Sequence, residues 1–509
     1  MSNDQHETVS DEERDALVTI ANGAVITSAG NAGQRVLTTL LEVVLARGLG
    51  PTAYGVYAFA WRIAQLLVRF VTFGSVPALQ RYLPAYDDDP ARRSTVTGLA
   101  YATTLASGGV LAAAVWLSAP RLNALTVGEP LFPATMRTFG VLVVLLGLVA
   151  ISAGIFRAVR SARGEVVLNR LLRPVVRLVG GLTALSLGYS AAGVAGGIVI
   201  STGLLAATTL PLTRQITGVS STLRGARTEA RRFYNHAVPV AMSQLGKVFQ
   251  SRLDVFLVGA LLSAGAAGVY NAVLVLVAIA WIPLLSFNQL LPPVASELYA
   301  DGRVELLDDI YTSATRLIVT TVAPVVAVLV AYGPALLGAF GSTYTQGYEA
   351  LVIYLGGVFV GSAVGATGWL LMMTDHQYAR MALDWLLAVL NVALTYVFVR
   401  RFGISGAALG TALAIAIQNG IQVVLLREFE GLWPFDRTFL PPIAAGLVAL
   451  AAMWAVRLLA PGGVAALVGP PLGVGVYVTA LAVVGVDARD RLVVRTLVDA
   501  YRTKLAGVR

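Results

Sequence analysis

Long apolar stretches alternate along the chain with short polar joins, and most of the stretches have the length of a membrane span. About fourteen can be drawn, each able to cross a hydrocarbon layer ~30 Å thick as a helix of ~20 residues. They cover residues 18–46, 53–79, 95–118, 133–157, 166–188, 191–213, 234–261, 267–295, 309–332, 349–373, 377–399, 404–426, 439–459 and 464–486. The joins carry turn residues, as in GLGP, SAP, YSAAG, LLSAGAAG, RRFGISG, GLWPFD and APGG. In lipid every backbone polar group must be satisfied within the protein, so spans of this length are helices. The pattern predicts an all-α polytopic membrane protein with about 14 transmembrane helices.

Composition agrees. Hydrophobic residues make up 57% of the 509 and charged residues only 13%, against about 25% charged in a soluble domain. Mean hydropathy is +0.74. The spans leave little chain for a soluble domain. There is no cysteine, which excludes disulfides, a thiol nucleophile and a zinc–thiolate site. The three histidines, His6, His236 and His376, are scattered, so no metal site and no cofactor are expected.

Net charge is +9, and in a chain of this kind the cations report topology before anything else. No nucleic-acid module accompanies them, and no nucleic-acid partner is expected. One set of joins holds Arg81, Arg92 and Arg93, then Arg157, Arg160, Arg163, Arg170, Arg173 and Arg177. Arg214, Arg224, Arg227, Arg231, Arg232, Arg303, Arg316, Arg380, Arg427 and Arg437 continue it, and the tail adds Arg489, Arg491, Arg495, Arg502, Lys504 and Arg509. The other set holds only Arg47, Arg121, Arg137, Arg400, Arg401 and Arg457. The richer side is cytoplasmic by the positive-inside rule, which places both termini there, in a cell membrane. The start, MSNDQHETVSDEERDA, is polar and acidic, unlike a secretory signal. Only Lys247 and Lys504 are lysine. The arginine bias suits a GC-rich prokaryotic genome, and the acidic runs DEERD and DDDP suit a halophilic archaeon.

The chain also repeats itself. GLGPTAYGVYAFAWRIAQLL, after the first span, resembles LLSAGAAGVYNAVLVLVAIA, after the seventh, with Gly55-Val56-Tyr57 matching Gly268-Val269-Tyr270. A shift of six spans preserves orientation, so the halves are parallel repeats. With one residue of slack, Arg35 falls on Lys247 and Glu42 on Asp254. Five parts follow: a cytoplasmic N-terminal tail (1–17), an N-terminal lobe (18–217), a C-terminal lobe (218–430), two further spans (431–486) and a basic cytoplasmic tail (487–509). The tail reads as a helix lying against anionic lipid.

Charges inside spans cost ~2.5–3.5 kcal/mol each on insertion scales, so they face protein or a wet cavity. Arg35 and Glu42 lie two turns apart on one face of the first span. Span 2 adds Arg62, Gln65 and Arg69 on one face, and span 7 adds Gln244, Gln250 and Ser251 beside Lys247 and Asp254. Arg252 points about 140° away from Lys247. Asp384 sits nearer the cytoplasmic end of span 11, where an acid can snorkel. One reading is an ion-pair lattice that fixes helix packing, with Arg35 and Glu42 each paired elsewhere. The other is a cationic interior, because cations outnumber acids and the motif recurs in both halves. Such an interior attracts an anion, and arginine's planar fork suits phosphate. Glycines 357, 361 and 365 on span 10, and 406 and 410 on span 12, mark close helix packing.

The runs VLARGLGPTAYGVYAF and GSVPALQRYLP resemble the start of the polysaccharide flippases of the multidrug/oligosaccharidyl-lipid/polysaccharide exporter superfamily. SRLDVFLVGALLSAGAAGVYNA, FGSTYTQGYEAL and DHQYARMALDWLLAVLNVALTYVFVRRFGISGAALGTALA are similar to that family's span 7–8 junction, pre-span-10 segment and span 11–12 block. The resemblance implies two six-helix lobes around a central cavity plus two C-terminal helices. It also implies transport, by alternating access, of a polyprenol- or dolichol-(pyro)phosphate-linked glycan to the outer leaflet, for surface polysaccharide or glycoprotein assembly. Arg35, Arg62, Arg69, Lys247, Arg252, Gln65 and Gln250 are then expected to line the phosphate and sugar cavity, in a monomer among membrane lipids. Glu42, Asp254 and Asp384 are expected to pair with them or to couple a Na+ or H+ ion. Two alternatives stand beside this. A cation-coupled drug or small-solute exporter of the same superfamily would need an acidic cavity. A glycan polymerase or glycosyltransferase would need an extramembrane catalytic loop, and the longest outer loop, APRLNALTVGEPLFP, has one acid, Glu129, and no histidine.

Overall fold

The computed structural model describes residues 11–159, 164, 167–249, 254–289, 291–460 and 462–484. Among them there are helices and turns and no strand, and nine helical stretches are long and apolar enough to cross a membrane. The protein is an all-α polytopic membrane protein. The described residues group into two compact units. One holds Gln34–Ala272 with Ala339–Tyr344; the other holds Val273–Gly338 and the residues from Thr345 onward, with the described residues before Gln34.

The first unit is built from α1 (Asp11–Val71) beyond Gly33, α2 (Ser75–Ala85), α3 (Pro90–Leu125) and α4 (Leu131–Ala158). A wide π-turn at Val167–Leu172 then runs into α5 (Arg173–Ser186). After it come α6 (Ala191–Thr217), α7 (Ala226–Phe249), α8 (Asp254–Leu261) and the first half of α9 (Ala264–Ala280). Two expected spans lie within α1, on either side of Gly50, whose φ of 73° and ψ of 170° break the helical path just before Pro51. Glycine tolerates that conformation and proline cannot donate the missing bond, so GLGP makes a turn with no loop. α3, α4 and α6 pack in series, and α7 closes on α2 and α3. The core there gathers Leu79, Leu83, Leu99, Ile151, Ile155 and Phe233.

The second unit contains α10 (Ile282–Phe287), α11 (Leu291–Ala300), α12 (Val304–Gly338), α13 (Tyr348–Ala363) and α14 (Thr367–Met373). α15 (Gln377–Glu430), α16 (Leu440–Leu459) and α17 (Gly462–Val484) complete it. α15 again holds two spans, folded at Gly403 with φ 59° and ψ −134°. They cross so closely that a Cβ on Gly406 would sit 2.0 Å from the Phe398 carbonyl oxygen, and one on Gly410 2.6 Å from the Thr395 nitrogen. The two extra spans, α16 and α17, lean on α12: Tyr477 donates to the Thr320 carbonyl at 2.9 Å and Arg457 to that of Ala331 at 2.9 Å.

Two of the cations counted with the cytoplasmic joins, Arg316 and Arg177, are largely buried within helices and face acids. Arg316 is 1% exposed, about three turns into α12, where it donates to Thr438 and faces Asp436 at 3.9 Å. Arg177 lies within α5, with a side chain 12% exposed. Both fall inside segments drawn as spans, 166–188 and 309–332, although they are counted with the joins.

The Gly-Val-Tyr repeat has a packing meaning in the first unit. Gly55 and Gly268 meet each other: a Cβ on Gly55 would lie 1.8 Å from the Ala264 carbonyl oxygen, and one on Gly268 2.5 Å from that of Pro51. Only bare backbone fits such a crossing. Gly55→Val or Gly268→Val should therefore lower the melting temperature and yield of detergent-purified protein sharply. Gly265→Ala, whose nearest neighbours lie at 3.8 Å, should match wild type. Equal behaviour of all three would show that the crossing is not tight.

Candidate functional site

Glu42 sits in mid-span of α1 and is 5% exposed. A carboxylate in that place needs donors, and it has them. Tyr54 Oη donates to Glu42 Oε2 at 2.9 Å, and Arg177 Nη2 to Oε1 at 2.7 Å. The same Arg177 nitrogen donates to Tyr57 Oη at 2.7 Å. The guanidinium lies over the Trp61 ring, 3.8 Å from its centroid, a cation–π contact strengthened by burial of both groups. Tyr57 and Trp61 stack, and both meet Phe139 edge-on.

The network continues through Asn271 of α9. Its Nδ2 donates to Tyr54 Oη at 2.8 Å, and its Oδ1 accepts Arg62 Nε at 3.2 Å and Nη2 at 2.9 Å. Arg62, Asn271, Tyr54, Glu42, Arg177 and Tyr57 thus form one connected polar chain in an apolar setting. Helical register explains its geometry: Tyr54, Tyr57 and Trp61 recur at three and four residues on one face of α1 beyond Gly50.

The repeat partner of Glu42 solves the same problem differently. Asp254, 1% exposed at the start of α8, accepts Tyr270 Oη at 2.7 Å. Tyr270 is the repeat partner of Tyr57, which reaches Glu42 through Arg177. Each half therefore joins its buried acid to the tyrosine of Gly-Val-Tyr, directly in one and through a guanidinium in the other.

The remaining expected residues are spread out. Arg35 is half-buried on α1, and Gln65 and Arg69 are exposed. Arg69 lines a separate apolar cavity, so the single face drawn through Arg62, Gln65 and Arg69 divides in the structure. Asp384 belongs to the second unit. It pairs with Arg380, whose Nη2 lies 2.9 Å from Oδ1, and accepts Gln418 Nε2 at 3.1 Å. Gln250 and Arg252 lie outside the described residues, as does the side chain of Lys247, whose backbone is part of α7. Among the described residues no group of three or more potential metal ligands converges.

Sequence reasoning passed over Arg177, Tyr54 and Asn271. Arg177 falls 11 residues inside the segment drawn as 166–188, so the rule that intramembrane charges need partners applied to it. Counting it with Arg170 and Arg173 among the joins leaves that rule unused. Tyr54 and Asn271 flank the repeat motif, and neutral residues give no charge signal.

Removing one member of a buried ion pair strands the other, typically at a cost of about 3–5 kcal/mol. Arg177→Met and Glu42→Gln should each lower the thermal midpoint of the purified protein, and the double variant should lose less than the sum. Fully additive losses would show that the two groups do not act as a pair.

The family model described as "Polysaccharide biosynthesis protein" matches residues 20–299. A probable low-salt glycan biosynthesis flippase, Agl15 of Haloferax volcanii, is 22% identical over 268 residues, 52% of this chain and 56% of that one. The match thus spans about half the length of that curated relative. Among solved structures, the lipid II flippase MurJ in an inward closed conformation is similar with a TM-score of 0.71 at 13% identity, over 90% of this chain and 98% of that one. An inward-facing multidrug resistance MATE family transporter of the MOP superfamily gives 0.64 at 17% identity, over 82% and 98%. A MOP superfamily transporter from Pyrococcus furiosus, described as having a binding pocket of reverse polarity, gives 0.56 at 16%, over 84% and 99%. At these identities the likeness is one of fold.

Proposed function

The chain belongs to the polysaccharide biosynthesis protein family, and on that premise we propose that it is a flippase, a transporter rather than an enzyme. Its cargo is a lipid-(pyro)phosphate-linked oligosaccharide, carried by alternating access from the cytoplasmic to the outer leaflet for surface polysaccharide or glycoprotein assembly. The carrier is a polyprenol or dolichol, and the protein works as a monomer in the cell membrane with both termini cytoplasmic.

One observation carries this reading: the sign of the charge that α1 places within the membrane. Beyond Gly33, the spans within α1 hold Arg35, Arg62 and Arg69 and a single acid, Glu42. That acid is already neutralised by Arg177 of α5. The balance is positive, and in a low-dielectric interior a positive balance selects an anion. An exporter of organic cations needs the opposite sign. The name of the Haloferax volcanii relative, a glycan biosynthesis flippase, supports the same class of cargo.

An inside-negative potential favours outward movement of an anionic head group by about 2.3 kcal/mol per charge per 100 mV. That is enough to drive much of the step without an ion gradient. The carboxylates Glu42 and Asp254, each tied to a tyrosine hydroxyl, are the groups through which Na+ or H+ would act if the transport is coupled.

Arg35→Ala combined with Lys247→Ala should abolish transport at normal protein levels. The measurement is the leaflet distribution of lipid-linked saccharides in a deletion strain complemented with each variant. Accumulation on the cytoplasmic leaflet with loss of surface glycan supports the proposal; wild-type distribution with both residues changed overturns it. Liposomes offered anionic glycolipids and organic cations side by side separate it from cation export.

A further inference from the structure

Two turns along α1 from Arg62, the first unit opens a cavity of about 400 Å³ whose walls differ in kind from the Glu42 network. Phe70 and Phe73 form one wall, Ala106 and Val110 of α3 another, and Met242 of α7 a third. Between the two phenylalanines in sequence, Val71 is fully buried and seated in glycine notches: a Cβ on Gly108 would lie 2.9 Å from Val71, and one on Gly147 2.6 Å. Ser107 also lines it, but its hydroxyl turns back to donate to the carbonyls of Val71 and Thr103. Arg69, at the edge, is the one ionisable residue in the lining among the described residues. Val110 is 70% exposed and Met242 49%, so the cavity opens on the surface of the unit.

A glycan cannot be the occupant. Sugar hydroxyls need several convergent donors and acceptors, and this wall directs its one hydroxyl into backbone. A hydrocarbon chain ending in an anion matches both features, with the apolar length along the rings and the charge on a guanidinium that can bond two oxygens at once. Aromatic faces and a methionine thioether form a polarisable, adaptable lining, suited to an unsaturated, branched chain. We propose that this groove is a lipid site that takes the phosphate end of a polyisoprenyl phosphate, with the phosphate on Arg69 and the first isoprene units against Phe70, Phe73, Val110 and Met242. The choice of an isoprenoid over an ordinary acyl chain rests on the flippase reading. The groove keeps the carrier's chain in an apolar seat while the sugars reach a different, polar part of the protein.

The test is direct binding of a fluorescent polyisoprenyl phosphate that carries no sugar, to full-length protein in phosphatidylcholine nanodiscs. Val110→Trp and Ala106→Phe fill the groove from α3, Arg69→Gln removes the cation, and Leu117→Trp, at a site 71% exposed on the same helix, serves as the folding control. The first three should weaken binding by roughly ten- to a hundredfold, the scale of a lost charge-assisted hydrogen bond or a blocked seat, and Leu117→Trp should bind as wild type. Arg69→Gln should bind the neutral polyisoprenol as wild type does, because only the phosphate contact is gone. Unchanged binding in Val110→Trp and Ala106→Phe overturns the site, as does equal competition by phosphatidylglycerol, which would make it an ordinary phospholipid groove. Transport is measured separately. Binding with this variant pattern but no transport of any lipid-linked glycan removes the flippase reading and leaves the groove. Transport with binding indifferent to the groove variants does the reverse.

Discussion

A carboxylate in mid-membrane has to be neutralised within the protein, and in the first unit Glu42 imposes that condition on everything around it. Satisfying it recruits a cation from α5, a hydroxyl from beyond the Gly50 bend and, one step further, an amide from α9. Three segments far apart in sequence are tied by one acid. The aromatic packing of Tyr57, Trp61 and Phe139 follows from the same condition, since the guanidinium that reaches Glu42 needs a flat face beneath it. Such an arrangement is specific more than it is strong: apolar replacements of buried ion pairs are often neutral in stability, whereas half-broken pairs are not.

Much of the architecture could be read from the chain because lipid leaves the backbone few options. The apolar segments became helices, and two of the joins, GLGP and RRFGISG, became the bends at Gly50 and Gly403. Arg177 and Arg316 fall inside drawn segments yet group by charge with the joins, and the folded partners, Glu42 and Asp436, show that they belong inside. The closeness of Gly55 and Gly268 was visible as a repeat but not as a contact, since periodicity in sequence says nothing about which surfaces touch.

The charges divide by what surrounds them. Arg62 reaches a neutral amide within a hydrogen-bonded chain, Arg69 edges an apolar groove, and Asp384 is tied to an arginine one turn before it. Helical spacing placed Arg62 and Arg69 on one face, and that remains true of the helix. The neighbouring helices decide what each meets, and they are invisible to a count of threes and fours. Asp384 shows the same limit: snorkelling is the solitary solution for an acid near a span end, and a partner one turn away replaces it.

The bend at Gly403 has a consequence for how the protein is made. The two halves of α15 satisfy each other's polar groups: Gln418 bonds Asp384, and Asn391 Nδ2 donates to Thr411 at 3.0 Å. Either half alone would present these groups to hydrocarbon, an expensive state. Together, with Gly406 and Gly410 pressed against the opposing backbone, they form a hairpin bonded across its two halves. Such a pair leaves the insertion machinery best as one body, both spans at once. The absence of a loop at the turn, which brings residues 398 and 406 together as soon as both are synthesised, sets that order of events during translation.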